Sequence, residues 1–171
     1  NAGIGGAQAP AGETDLADWK RVIDVNLNGV LYGMRYQIPA MLAAGRGSIV
    51  NIASILGLRQ ATHLLAYAAA KAALVQVTKS LALEWARHGI RVNAIAVGST
   101  RTEALNTVLS NPAIEKKMVE LTPMGRLGEV EDIAACALYL ASPAASYLTG
   151  DIIGVNGGLT TLNLPMPRAF G

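Results

Sequence analysis

The chain has 171 residues, 51% of them apolar, which suffices for one domain with a sizeable core. Its formal net charge is only +2, and Lys and Arg are scattered singly or in pairs, so no basic footprint for nucleic acid is present and a small-molecule partner is expected. The lone Cys136 sits in an apolar stretch, which rules out an intrachain disulfide and reads as a buried structural thiol.

No run reaches the ~20 apolar residues of a membrane span, because Arg35 and Lys71 interrupt the two best candidates, and no signal peptide is recognisable. A soluble, cytoplasmic protein is therefore expected. Residues 1–13 are rich in Gly, Ala and Pro and read as a loop leaving a strand. Thr14 or Asp15 can cap a helix with Leu16, Trp19, Val22 and Ile23 on one face. A further helix is predicted from Leu27 towards Ala44, ending at Gly45, with Pro39 kinking or dividing it. Residues 48–53 form an apolar run between Gly47 and Gly57 that fits a strand buried on both faces. From Ala66 to His88 the helical period returns, with Leu74, Val77, Leu81 and Trp85 as its buried stripe and Gly89 as its stop. Residues 90–97 read as a second buried strand, 129–141 as a helix and 151–155 as a third strand. This alternation predicts an α/β domain with a parallel sheet and helices on both faces, whose ligands bind beyond the carboxyl ends of the strands. Ser54 and residues 97–102 stand at such ends, which nominates one crevice.

Tyr67 and Lys71 are one helical turn apart, and a fixed ammonium there is expected to favour the phenolate and lower the tyrosine pKa from about 10. A phenol so tuned is a usable acid or base, and Ser54, just past a buried strand, adds a hydroxyl. Each piece also has a plain reading. A tyrosine at a helix start is more often a packing residue, a strand-end serine a turn residue, and Asn26 a polar group satisfying local backbone.

Taken together, Asn1-Ala2-Gly3, Asp24-Val25-Asn26, Ser54, Tyr67-x-x-x-Lys71 and Ile90-Arg91-Val92-Asn93 resemble, in order and spacing, the short-chain dehydrogenases/reductases. The resemblance continues through residues 123–128 and Leu148-Thr149-Gly150 to the pair Gly157-Gly158. It implies a Rossmann-like doubly wound parallel sheet with helices on both faces, lacking its first strands, with residues 1–171 as one partial domain. It also implies a hydride transfer between NAD or NADP and a ketone or secondary alcohol, and no metal. Tyr67 would be the general acid/base, Ser54 would orient the carbonyl, and Lys71 would bind the nicotinamide ribose and depress the tyrosine pKa. Asn26 would hold a proton-relay water. Asn1, Ala2 and Gly3 match the segment beneath the adenosine ribose, and Val97, Gly98, Thr100 and Thr102 the loop around the nicotinamide. Cofactor contacts would also come from Tyr67 and Lys71. Relatives of this family form homotetramers or dimers, so a homo-oligomer is implied.

The family's glycine-rich pyrophosphate loop and its ribose selector are missing from the sequence, and Gly3-Ile4-Gly5-Gly6 lacks the spacing to replace them. The chain is thus expected to be the C-terminal part of a longer enzyme, with an exposed sheet edge prone to association. An alternative is a catalytically incompetent remnant that serves as an oligomerisation module. Val97 stands where the family commonly has proline, freeing one backbone angle, and Asn156 where aspartate often precedes the glycine pair. Leu56, Leu58, Leu64 and Leu65 beside the crevice suggest an apolar substrate, and His63 reads as a loop residue.

Overall fold

The computed structural model describes residues 1–60 and 62–161. Asp15 opens the first helix by accepting the Ala17 N–H on its side chain at 2.8 Å. This helix, α1 (Leu16–Ile23), runs through a π turn at Asp24–Asn28 directly into α2 (Gly29–Ala43). Val22 is fully buried, whereas Leu16 is 79% exposed, because the predicted stripe starts one turn before the helix meets the body. Pro39 neither ends nor divides α2. It lies on the exposed side, as does Arg35, whose carbonyl loses its helical partner to the proline.

Three parallel strands, β1 (Gly47–Ser54), β2 (Ile90–Val97) and β3 (Ile152–Val155), lie side by side in that order. The register pairs Ser54 with Val97 and Val97 with Val155, so the three carboxyl ends finish level. β2 therefore keeps its pairing through Val97, which is flanked by Ser54 and Val155. The long helix α3 (Leu65–Trp85) ends in a 3₁₀ turn at Ala86–His88 and stops at Gly89, whose φ of +72° suits glycine. With α2 it covers one face of the sheet, where Ile49, Val92, Met34, Ile38 and Ala82 meet. α6 (Val130–Ala141) covers the other face, packing Leu140 and Cys136 against Val50, Ile52, Ile95 and Val97. Cys136 is only half-buried there rather than fully buried.

Buried polar side chains fasten these layers. Asn51 on β1 donates to the Thr78 hydroxyl on α3 at 2.9 Å, and Thr78 donates in turn to the Leu74 carbonyl at 2.8 Å. On β2, fully buried Asn93 donates to Leu148 O and accepts from Asp151 N, which positions the approach to β3. Two short helices, α4 (Glu103–Leu109) and α5 (Pro112–Leu121), follow the loop after β2 and were not expected from the apolar pattern. The sequence does carry a start signal for α5: Asn111 caps it by accepting Ala113 N–H at 3.0 Å, with Pro112 in the first turn. Among the described residues no helix is long and apolar enough to cross a membrane. β1 has no strand on its outer side among the described residues, and a groove of about 470 Å³ runs along that edge, lined by Asn1, Ala2, Val30, Met34 and residues 48–51.

Candidate active site

Strand β1 delivers Ser54 to the carboxyl edge of the sheet, and α3 starts eleven residues later with Tyr67 in its first turn and Lys71 in its second. The connection between them fits because Gly57 presses against the Lys71 backbone: a Cβ on Gly57 would lie 2.6 Å from Lys71 O. The Ser54 hydroxyl accepts the Leu56 N–H at 3.1 Å and lies close enough to the Tyr67 phenol to influence its titration. Lys71 is 4% exposed, donates from Nζ to Ile52 O at 2.8 Å and stands 5.6 Å from the centroid of the Tyr67 ring. One ammonium proton is thereby used, and two remain for a ligand.

The electrostatics differ from the sequence expectation in one respect. Burial pushes the Tyr67 phenol above its ordinary value, and the Ser54 hydroxyl only partly offsets this. Burial also pushes the Lys71 ammonium down. The expected depression of the tyrosine by the lysine is not met, because Lys71 is itself desolvated and spends its short bond on Ile52 O.

Asn26 lies in the π turn and is fully buried. Its amide donates to Ile4 O and Val22 O, both at 2.9 Å, and its Oδ1 accepts from Ile4 N at 3.3 Å. These bonds hold the irregular segment 1–10 beside Lys71. A Cβ on Gly3 would sit 2.8 Å from Asn26 Oδ1 and 3.7 Å from Lys71 Nζ, so only a residue without a side chain leaves those atoms open. Asn1 and Ala2 are exposed and line the groove at the outer edge of β1. The π turn was not legible in the sequence, although such turns recur at functional sites.

On the far side, Gly98 donates to Val155 O at 3.0 Å and approaches Asn156 so closely that a Cβ would lie 2.6 Å from its Cα. Thr100 is buried, its hydroxyl donating to Gly98 O at 3.3 Å, whereas Thr102 is exposed and caps α4 without a side-chain bond. Asn156 accepts from Gly158 N and donates to the Thr160 hydroxyl, both at 3.0 Å, so the amide both shapes the glycine turn and ties it to the chain beyond. His63 holds φ of +62°, a left-handed conformation uncommon outside glycine, and its carbonyl accepts from Ala9 N at 3.2 Å. Two free ammonium protons, a phenol, a hydroxyl and a side-chain-free approach at Gly3 suit a ribose and a carbonyl. The residues present thus fit the nicotinamide-ribose half of a dinucleotide. No group of His, Cys, Asp or Glu suited to a metal occurs among the described residues.

A family described as "Enoyl-(Acyl carrier protein) reductase" matches residues 1–160. Similar curated proteins include galactitol 2-dehydrogenase (L-tagatose-forming) of Cereibacter sphaeroides, 45% identical over 150 residues, or 86% of this chain and 59% of the relative. Cyclohexanol dehydrogenase of an Acinetobacter species is 44% identical over 161 residues, 94% of this chain and 62% of the relative. Among solved structures, a gluconate 5-dehydrogenase from Burkholderia cenocepacia in complex with NADP and tartrate superposes with a TM-score of 0.90 at 34% identity, covering 95% of this chain and 63% of that one. The chain spans about 60% of the length of the curated relatives it matches.

Proposed function

The chain belongs to the short-chain dehydrogenase/reductase family, and from that premise we propose that it carries the proton-transfer machinery of an NAD(P)-dependent oxidoreductase interconverting a secondary alcohol and a ketone. The observation that carries this reading is the convergence of Ser54, Tyr67 and Lys71 at the carboxyl edge of β1, beside the loop that follows β2. The bound nicotinamide supplies or accepts the hydride, chemistry no side chain here can perform.

In the reducing direction Ser54 holds the carbonyl oxygen and Tyr67 passes its phenolic proton to that oxygen as the carbon receives the hydride. A phenol held protonated by burial is suited to this step. In the oxidising direction the phenolate takes the alcohol proton, and because burial raises the phenol this step is favoured as pH rises. The two free Lys71 protons would serve the hydroxyls of the nicotinamide ribose. Asn26 has spent both amide protons on Ile4 and Val22, so any relay water rests on its carbonyl groups. Asn1, Ala2 and Gly3 are assigned to the adenosine side and Val97, Gly98, Thr100 and Thr102 to the nicotinamide side of the cofactor.

The exposed Leu58 and Leu65 beside Tyr67 favour a substrate with an apolar part, in keeping with a relative named for cyclohexanol. Exposed Leu31, Tyr32 and Tyr36 on α2 and Leu83 on α3 support assembly into a homo-oligomer, a dimer or tetramer, through these helices. We assign residues 1–171 to one partial Rossmann-type domain, and place the protein in the cytoplasm, where a single free Cys136 needs no oxidising surroundings. The test is titration of the protein with NADH and NADPH, followed by nicotinamide fluorescence. Saturable binding that weakens in Lys71→Ala supports the enzyme; no binding of either nucleotide favours an assembly module instead.

A further inference from the structure

Arg59 stands five residues past Ser54, and its side chain is fixed at both ends. Its backbone N–H donates to Ile55 O at 2.8 Å, which extends the 3₁₀ turn Ile55–Gly57 that follows β1. That turn packs on α3 and on β2, and Gly57 presses it against the Lys71 backbone, so the root of the side chain is held beside the proposed catalytic residues. At its tip, Nη1 donates to the carbonyl of Leu159. Leu159 is buried, and its own N–H donates to Asn156 O at 3.1 Å in the turn that leaves β3. β2 lies between β1 and β3, and the three strands end level, so a bond from the loop after β1 to the turn after β3 crosses the carboxyl end of β2. Arg59 therefore spans the edge where Ser54 and the Val97-Gly98 turn stand.

The charge it carries there has no counterpart. A backbone carbonyl takes one of the five guanidinium N–H groups and neutralises nothing, so the positive charge and four donors remain. Arg21, Arg101 and Arg126 each pair with a carboxylate, whereas Arg59 forms no ion pair among the described residues. No Asp or Glu occurs in any of the three stretches beyond the strand ends, residues 54–66, 97–102 and 155–161. Lys71 adds a second cation, while Arg101 is answered by Glu115 and Glu129 from outside these stretches. The edge is thus of one sign, and a planar guanidinium with free donors matches a carboxylate through two parallel hydrogen bonds. Exposed Leu58, next to Arg59 in the chain, and Leu65 at the start of α3 offer apolar surface for the body of such a molecule.

We propose that Arg59 is a specificity-determining residue that receives a carboxylate of the substrate, so that the preferred substrate is a hydroxy acid with an apolar body between its secondary alcohol and its carboxylate. The proposal rests on the reading of this edge as a dehydrogenase site and names its substrate class. Oxidation of 4-hydroxycyclohexanecarboxylate, its methyl ester and cyclohexanol with NAD(P) is compared in the wild type, Arg59→Gln and Arg59→Lys. The wild type is expected to favour the acid over its ester about ten- to a hundred-fold in kcat/KM, chiefly through KM. Arg59→Gln brings acid and ester within about three-fold of each other, with cyclohexanol losing far less than the acid does. Arg59→Lys keeps the charge but not the fork and recovers part of the preference. Salt near 0.5 M raises the KM of the acid in the wild type but not that of the ester. A purely structural role through Leu159 lowers all three substrates alike, and that result overturns the proposal, as does an acid preference that survives in Arg59→Gln. A loss of NAD(P)H affinity equal to the loss for the acid overturns it too, since the charge then serves the cofactor. A wild type that oxidises none of the three counts against the dehydrogenase reading, and calorimetric titration with cyclohexanecarboxylate still decides on Arg59: binding about ten-fold weaker in Arg59→Gln supports the site, and equal binding or none overturns it.

Discussion

The region around α3 and the hairpin α4–α5 border the same edge of the sheet but are built on opposite principles. In the first, Leu74 is buried beneath the Asn51–Thr78–Leu74 hydrogen-bond chain, Gly57 locks the approach of the loop, and Tyr67 and Lys71 ride on a helix that cannot shift without breaking all three. In the second, none of the described side chains is fully buried: Leu105, Leu109, Met118 and Val119 are half-buried, and Arg101 adds an ion pair to Glu115. The contrast teaches that the proposed proton-transfer group stands on a closely packed platform, whereas the segment after β2 is held by partly buried side chains and surface ion pairs.

The largest effect is expected on the rigid side. Lys71→Ala removes the ammonium and orphans Ile52 O, so turnover should fall by on the order of 10²-fold or more, with weaker cofactor binding. An effect on neither quantity would remove Lys71 from the mechanism. Leu74→Ala should cost about 2–5 kcal/mol in denaturant unfolding, as a large side chain is lost from a packed site. Ile114→Ala on α5 should stay within about 0.5 kcal/mol, and a loss comparable to that of Leu74→Ala would erase the distinction between the regions. The smallest effect concerns acid. Asp132 is held at about 2, well below the ordinary carboxylate value, chiefly by Arg126 and by Glu129 N–H. Its contribution is therefore present above the unfolded value of 3.8 and is lost as pH falls through about 2. Exchange at the start of α6 should accelerate over that window, and Asp132→Asn should remove the pH dependence.

The same contrast explains what could be read from the sequence. β2 is legible residue for residue because its apolar run is continuous and Gly89 marks its start. The order and spacing of Ser54, Tyr67 and Lys71 are legible because strand end and helix turn fix their separation. α4 and α5 escape notice because they are short and only half-bury Leu105, Leu109, Met118 and Val119, and the Asn111-Pro112 start is the signal that betrays α5. Leu16 misleads since periodicity says which residues share a face but not how far along the helix the body reaches. The raised tyrosine is equally hidden: spacing places a charge nearby, while the cost of burying both groups depends on tertiary surroundings.

The central claim is that Tyr67 is the group that exchanges a proton with the substrate. The most direct measurement is the pH dependence of kcat/KM for oxidation of a secondary alcohol by the wild type and by Tyr67→Phe, with NAD(P) affinity measured alongside. A phenol raised by burial predicts that wild-type oxidation climbs with pH into the alkaline range as the phenolate forms. It also predicts that Tyr67→Phe binds the cofactor normally but loses turnover at every pH. Turnover retained by Tyr67→Phe with the same pH profile would contradict the assignment.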